Sequence, residues 1–164
     1  MARGRRDAAG GTPATVALAR AGVAHTLHPY AHDAATTAYG DEAAAALGVD
    51  PARILKTLVA DAGGELVVAV VPVAASLDLK ALARVVGTKR AAMADPAAAE
   101  RSSGYVRGGI SPVGQRTPLR TVVDRTALAW PTVYVSAGRR GLQVELAPAD
   151  LVAVTGAVAA GIAG

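Results

Sequence analysis

The sequence predicts an α+β fold, a single domain built on a mixed sheet, and three observations carry that expectation. Residues 54–61 and 65–73 are two nearly continuous apolar runs joined by Gly63-Gly64, the pattern of a β-hairpin whose strands are apolar on both faces. Helix-start pairs, Thr12-Pro13, Asp50-Pro51 and Asp95-Pro96, recur along the chain. Strands and helices are interspersed without the regular βα alternation of a doubly wound parallel sheet.

The elements follow in order. Residues 1–11, rich in Gly and Arg and without an apolar period, read as a flexible basic arm, and residues 12–164 as the domain. Thr12 can cap the free N–H groups of a helix that Pro13 opens, and Val16, Leu18 and a stop at Gly22 complete it. A strand over 24–30 ends at a sheet edge, because Pro29 has no N–H to give to a ladder. A helix over 41–47 closes at Gly48, and Asp50-Pro51 opens a short helical turn. The hairpin then sits centrally, covered on one side by helices. Ser76 and Asp78 offer caps for a helix over 79–86. Further expectations are a strand within 88–94, a helix from Asp95-Pro96 to near Gly104, strands over 121–123, 132–136 and 142–146, a turn at 138–141, and a helix from Pro148 that ends the fold. Residues 104–119 form a glycine- and proline-bearing loop, of a length that goes with function or disorder in a small domain.

With 164 residues, 52% of them hydrophobic, the chain can bury a core of its own. It has no Phe and one Trp, so that core is built from Val, Leu, Ile and Ala, and a Tyr facing a cleft becomes informative. Of the net charge of +4, Arg3, Arg5, Arg6 and Asp7 carry half, before the first element. The remainder suits contact with a few phosphates rather than coating of a duplex. The absence of cysteine excludes disulfides, thiolate metal sites and a cysteine nucleophile. The basic opening is followed by Asp-Ala-Ala-Gly-Gly-Thr-Pro rather than an apolar signal-peptide stretch, and no run reaches the roughly 18 apolar residues of a membrane helix. The expectation is a cytoplasmic protein without membrane contact.

Lys56 is the most informative residue. The chain uses 14 Arg and three Lys, yet a Lys stands inside Ile54-Leu55-Lys56-Thr57-Leu58-Val59. Either it reaches solvent at a strand edge, or its compact charge faces a phosphate or ester oxygen at the rim of a cleft. In the segment 107–115 the pair Gly108-Gly109 exposes backbone N–H groups and Ser111 adds a hydroxyl, which suits a developing oxyanion as well as a structural turn. His25, His28 and His32 with Asp33 invite a metal reading, but a strand turns His25 away from His28 and His32, so surface or structural histidines are favoured and no metal is expected. Tyr30 and Tyr39 each offer an apolar wall and a hydroxyl to a pocket. Gly138-Arg139-Arg140-Gly141 reads as a hairpin turn with solvated arginines or as a phosphate contact. No Gly-x-Ser-x-Gly elbow, Walker loop or zinc motif appears, so a hydrolase built on this chain takes its nucleophile from elsewhere.

Taken together, the segments resemble the YbaK/EbsC family. The resemblance rests on Thr12-Pro13-Ala14, His28-Pro29-Tyr30-Ala31-His32-Asp33, Tyr39-Gly40-Asp41-Glu42, Leu55-Lys56-Thr57-Leu58, Leu77-Asp78-Leu79-Lys80 and Met93-Ala94-Asp95-Pro96, and above all on Arg101-Ser102-Ser103-Gly104-Tyr105 followed by Gly108-Gly109-Ile110-Ser111-Pro112. It implies the fold of the editing domain inserted in bacterial prolyl-tRNA synthetases, and a trans-editing deacylase that removes cysteine from Cys-tRNA(Pro) with no cofactor. The partners it implies are tRNA(Pro) carrying cysteine and prolyl-tRNA synthetase; the oligomeric state is left open. Carried over residue by residue, Lys56, Gly108 and Gly109 are the catalytic group, Lys56 at the terminal adenosine and phosphate and the glycines near the scissile ester. Tyr30, Tyr39, Thr57, Ser111, Pro112, Ser136 and Gln143 bind substrate. One departure stands out: Gln143 occupies a position that is Asp in some members. Two rivals are a related deacylase clearing alanine or another small residue, and a non-catalytic module that binds tRNA or a synthetase.

Overall fold

The structure, a computed structural model, describes residues 11–164. The expected basic arm, Gly11 apart, lies outside the described residues. Two sheets share the core. The larger runs in the order β4 (Ala91–Met93), β2 (Leu55–Ala62), β3 (Glu65–Pro72), β5 (Thr121–Asp124), β8 (Val158–Ala160). In it β2 is antiparallel to β3 and β4, whereas β5 is parallel to β3 and β8 to β5, so the sheet is mixed. The smaller is antiparallel, β1 (His25–Pro29), β7 (Leu142–Leu146), β6 (Val133–Arg139), with Pro29 on an edge strand as its missing N–H requires.

The central hairpin holds its register from Leu55 opposite Pro72 to Ala62 opposite Glu65. Because its residues are apolar on both faces, both faces need cover. On one, Ala60, Val67, Ala69 and Val71 pack on Leu82 and Val86 of a helix (Leu79–Val86, α3 in chain order) and on Ile162. On the other, Leu55, Val68 and Val70 meet Val133, Val135 and Val144 of the second sheet, with Leu18 of α1 (Pro13–Arg20) and Leu151 of α5 (Pro148–Thr155). The remaining helices, α2 (Tyr39–Leu47) and α4 (Pro96–Ser103), flank the open end of β2. The expected caps form: Thr12 Oγ1 accepts the Thr15 N–H at 3.2 Å and Asp78 Oδ1 the Ala81 N–H at 3.0 Å. Each is worth about 1 kcal/mol.

Several boundaries move. The helix expected from Asp41 begins at Tyr39, the Asp50-Pro51 segment makes turns only, and the strand within 88–94 is confined to three residues. The helix from Pro148 does not end the fold. It stops at Thr155, Gly156 takes φ 66°, and the chain returns as β8 beside β5. Three residues of Val-Ala-Ala show no period, so that return was invisible in the sequence. Asp124, only 2% exposed, holds it in place: Oδ1 accepts the N–H groups of Ile162 at 2.9 Å and Ala163 at 3.0 Å, and Oδ2 takes the N–H and hydroxyl of Thr126. Burial alone would raise the Asp124 carboxyl, but these hydrogen bonds prevail and hold it below the ordinary value of 3.8.

Candidate active site

The site begins as an unfinished strand edge. Val73 N–H donates to Ile54 O at 2.8 Å, so Ile54 is a hydrogen-bonded position of the hairpin. The two-residue alternation of an antiparallel ladder then turns the main-chain groups of Lys56 and Leu58 toward β3, and those of Leu55 and Thr57 outward. On that outer edge β4 pairs only from Ala60 onward, and β6 reaches β2 only at the Ile54–Tyr134 bridge. Between these two contacts the edge is open, and a cleft of about 520 Å³ lies over it. The cleft is walled by the start of α2, by α4 with Met93 and Ala94, and by Arg107, Gly108 and Ile110 of the long loop.

Six of the ten anticipated residues line this cleft: Lys56, Thr57, Tyr39, Gly108, Ser136 and Gln143. Neighbouring strand residues point to opposite faces, yet Lys56 and Thr57 both contribute because the cleft wraps the bare edge. Lys56 is half-buried, and among the described residues no carboxylate lies within ion-pair distance of it. Ser136 stands opposite Gln143 in the ladder, two residues beyond the Tyr134 bridge, which brings both to the end of the cleft facing the smaller sheet. Two oxygens of cleft-lining residues are buried without a partner among the described residues, Thr57 Oγ1 and Gln143 Oε1. Leaving such groups unpaired costs about 1–3 kcal/mol each, which a bound ligand can recover.

Tyr39 packs beside two side chains. The Arg140 guanidinium lies 5.0 Å from its ring centroid and the His32 ring 6.0 Å away. Its third neighbour is Gly108, with φ 84°, where an added Cβ would stand 2.6 Å from Tyr39 Cδ1. The glycine is therefore required by packing as well as by conformation.

The other four residues lie off the lining. Gly109 is buried, its N–H donates to Val106 O at 2.8 Å, and an added Cβ would stand 2.8 Å from Arg139 Cα. Its amide is thus committed to a turn, which corrects the expectation that both glycines present N–H groups to an ester. Ser111 and Pro112 are buried behind the wall: Ser111 Oγ accepts the Val113 N–H at 3.2 Å, and Gln115 Nε2 donates to Ser111 O at 3.0 Å. They order the loop, together with the Tyr105 hydroxyl, which donates to Val113 O at 2.6 Å and whose pKa burial pushes up to about 12. The length of residues 104–119 therefore reflects a pinned wall, not disorder. Tyr30 acts one layer back. Burial raises its hydroxyl pKa, while hydrogen bonding from the Gly141 backbone and the Gln143 side chain pulls the other way.

The three histidines go to three separate partners. His25 Nδ1 contacts Val23 O at 2.7 Å, His28 Nε2 meets Glu145 Oε1 at 2.9 Å, and His32 Nδ1 meets Glu42 Oε1 at 2.7 Å. The hydrogen bond from His32 leads the effects that hold Glu42 below the ordinary carboxylate range. Sequence reasoning missed Asp41, Glu100 and Arg107, which also line the cleft; Glu100 Oε2 accepts the Arg107 N–H at 2.8 Å and so fastens α4 to the loop.

A profile of the aminoacyl-tRNA editing domain family matches residues 32–154, most of the described chain and all of the cleft. The chain belongs to this family. Membership in the aminoacyl-tRNA editing family makes it an aminoacyl-tRNA deacylase. A curated relative in Enterococcus faecalis, EbsC, provisionally named a Cys-tRNA(Pro)/Cys-tRNA(Cys) deacylase, is 40% identical over 117 residues, covering 70% of this chain and 71% of the relative. A solved structure described provisionally as a trans-editing enzyme for prolyl-tRNA synthetase superposes with TM-score 0.79 at 29% identity, over 93% of this chain and 95% of that one. The solved protein APE2540 does so with TM-score 0.83 at 29% identity, over 93% and 99%. Among the described residues no helix is long and apolar enough to cross a membrane.

Proposed function

We propose that this editing-family deacylase clears cysteine from Cys-tRNA(Pro) in trans, with the thiol of the mischarged residue as the nucleophile. The observation that carries the reading is the composition of the cleft. It gathers Lys56, the Gly108 backbone and two oxygens that have no partner among the described residues, while none of the three histidines and no cysteine lines it. Such a site offers positioning and electrostatic support without a nucleophile–base pair of its own.

In the proposed step the cysteine sulfur attacks its own ester carbonyl. A C–S bond forms, the bond from the carbonyl carbon to the ribose oxygen breaks, and the thiol proton ends on that ribose hydroxyl. Water then opens the cyclic thioester. Lys56 anchors the phosphate or ribose of the terminal adenosine, the Gly108 N–H faces the developing oxyanion, and Tyr39 walls the side-chain pocket. Gly109, Ser111 and Pro112 serve by holding that wall in shape. Residues 12–164 act as the editing domain, and the basic arm of residues 1–11 assists tRNA or synthetase contact in the cytoplasm. The activities for which the relatives are named support the choice of Cys-tRNA and of prolyl-tRNA synthetase as the associated enzyme.

The test is turnover of Cys-tRNA(Pro), Ser-tRNA(Pro) and Ala-tRNA(Pro) by purified protein, with and without prolyl-tRNA synthetase. Cysteine should be released at least about 100-fold faster than serine, since the two differ at the attacking atom alone. Equal rates for cysteine and serine remove the thiol from the mechanism. Preference for alanine assigns the protein to a water-using deacylase instead.

A further inference from the structure

We infer that the cleft selects aminoacyl-tRNA carrying a free α-ammonium over N-acylated tRNA, and that Gln143, seconded by Thr57, makes that selection. The inference rests on the deacylase reading above and adds the identity of the group that is read.

Gln143 is 7% exposed, and its Oε1 is buried without a partner among the described residues although Gln143 lines the cleft. Its position is fixed by its strand, which is paired on both sides, to His28 in β1 and to Ser136 in β6. The buried Oε1 is thus the atom that Gln143 leaves unsatisfied at the cleft. An amide oxygen accepts and never donates. Whatever fills the cleft must therefore bring a hydrogen-bond donor to this end. A second buried oxygen, Thr57 Oγ1, lacks a partner in the same cleft.

Among the groups at the end of a charged tRNA, phosphate and ester oxygens only accept. The α-ammonium is the richest donor, with three N–H bonds and a charge that strengthens each of them. Its three N–H bonds can be directed to more than one acceptor, whereas an N-acyl amide has one N–H, no charge and added bulk. The carboxylates that line the cleft are otherwise placed: Glu100 Oε2 already takes the Arg107 N–H, and Asp41 is exposed, hydrated by solvent. A neutral acceptor also explains how Gln serves at this position. It reads the ammonium without placing a second charge beside the ester, so Lys56 remains the only charged group needed at the phosphate end.

The experiment compares Cys-tRNA(Pro) with N-acetyl-Cys-tRNA(Pro), in which the thiol is intact and only the amino group is changed. Acetylation alters the intrinsic reactivity of the ester, so the readout is the kcat/KM ratio of free to acetylated substrate in the native protein divided by that ratio in Gln143→Met. A charge-assisted hydrogen bond lost on one side of such a cycle corresponds to about 10- to 100-fold. We expect a quotient of at least about 10, a smaller reduction of the ratio in Thr57→Val, and a ratio in Gln143→Glu equal to or above that of the native protein. Equal ratios in the native protein and Gln143→Met overturn the inference. If Gln143→Met does not fold, a Gln143→Glu ratio below the native one overturns it. Failure of the native protein to cleave either tRNA counts against the deacylase reading, whereas cleavage with unchanged ratios counts against this inference alone.

Discussion

Gly108→Ala tests whether the wall of the cleft is set by the packing of Tyr39 on the loop. At φ 84° a Cβ is strained whatever the surrounding space, at about 1–2 kcal/mol. It would also stand 2.6 Å, 2.7 Å and 2.8 Å from three atoms of the Tyr39 ring. That overlap adds about 1–3 kcal/mol of overpacking as the Tyr39 ring is displaced from its contacts with Arg140 and His32. The single variant is therefore expected to lose about 2–5 kcal/mol, measured as a shift in urea midpoint at constant slope. In a Tyr39→Ala background the steric part disappears and only the strain of about 1–2 kcal/mol remains. The two changes should thus couple by about 1–3 kcal/mol. Deacylation should fall in both single variants, because Tyr39 and Gly108 line one cleft. Coupling below about 0.5 kcal/mol would refute the account. Gly108 would then be glycine for its conformation or for substrate approach, not for Tyr39.

Three further outcomes are expected. Lys56→Ala should lower kcat/KM at least about 100-fold with little change in thermal midpoint, because Lys56 is half-buried and among the described residues has no ion-pair partner whose loss would unfold the chain; near-normal turnover by the folded variant removes its anchoring role. Asp124→Asn should cost about 1–3 kcal/mol by chemical denaturation, since a charged acceptor of four hydrogen bonds becomes a neutral one. The native protein should also be less stable in acid: the folded-state pKa of Asp124 lies below 3.8, so its contribution is present above that value and is lost as pH falls through the folded pKa, a component that Asp124→Asn should not show.

The parts of this protein that were legible in its sequence are those written in local chemistry. The two-sided apolarity of residues 54–73 dictated a central hairpin, and the Thr12 and Asp78 caps marked two helices, because caps and periods act within a few residues. Lys56 stood out because an ammonium in an apolar strand needs a reason. The unread parts depend on contacts far apart in the chain. β8 is found only by pairing with β5, and Asp124 looks like an ordinary loop-start aspartate until Ile162 and Ala163 arrive, some 38 residues later. Gly109 fails for the opposite reason. Exposed amides were inferred from composition, but Val106 O takes that N–H at short range, and nothing in the residue names reveals which of two adjacent glycines faces outward.

The same distinction bears on how a chain with no cysteine assembles an editing site. A nucleophile–base pair has to be placed to within a hydrogen bond, and its residues would be recognisable in sequence. Here the candidate site is instead a stretch of β2 edge left bare because β4 pairs with β2 only over 60–62 and β6 bridges it only at Ile54. An edge left exposed to solvent invites pairing with another chain, and proteins normally cover or shorten it. In this fold the bare stretch is recessed among α2, α4 and the loop bearing Gly108, which cover it against pairing with a strand of another molecule. The buried oxygens of Thr57 and Gln143 extend that logic from main chain to side chain. Specificity in such a site comes from leaving acceptors unsatisfied until the right donor enters, and a ligand without that donor meets their desolvation cost in full.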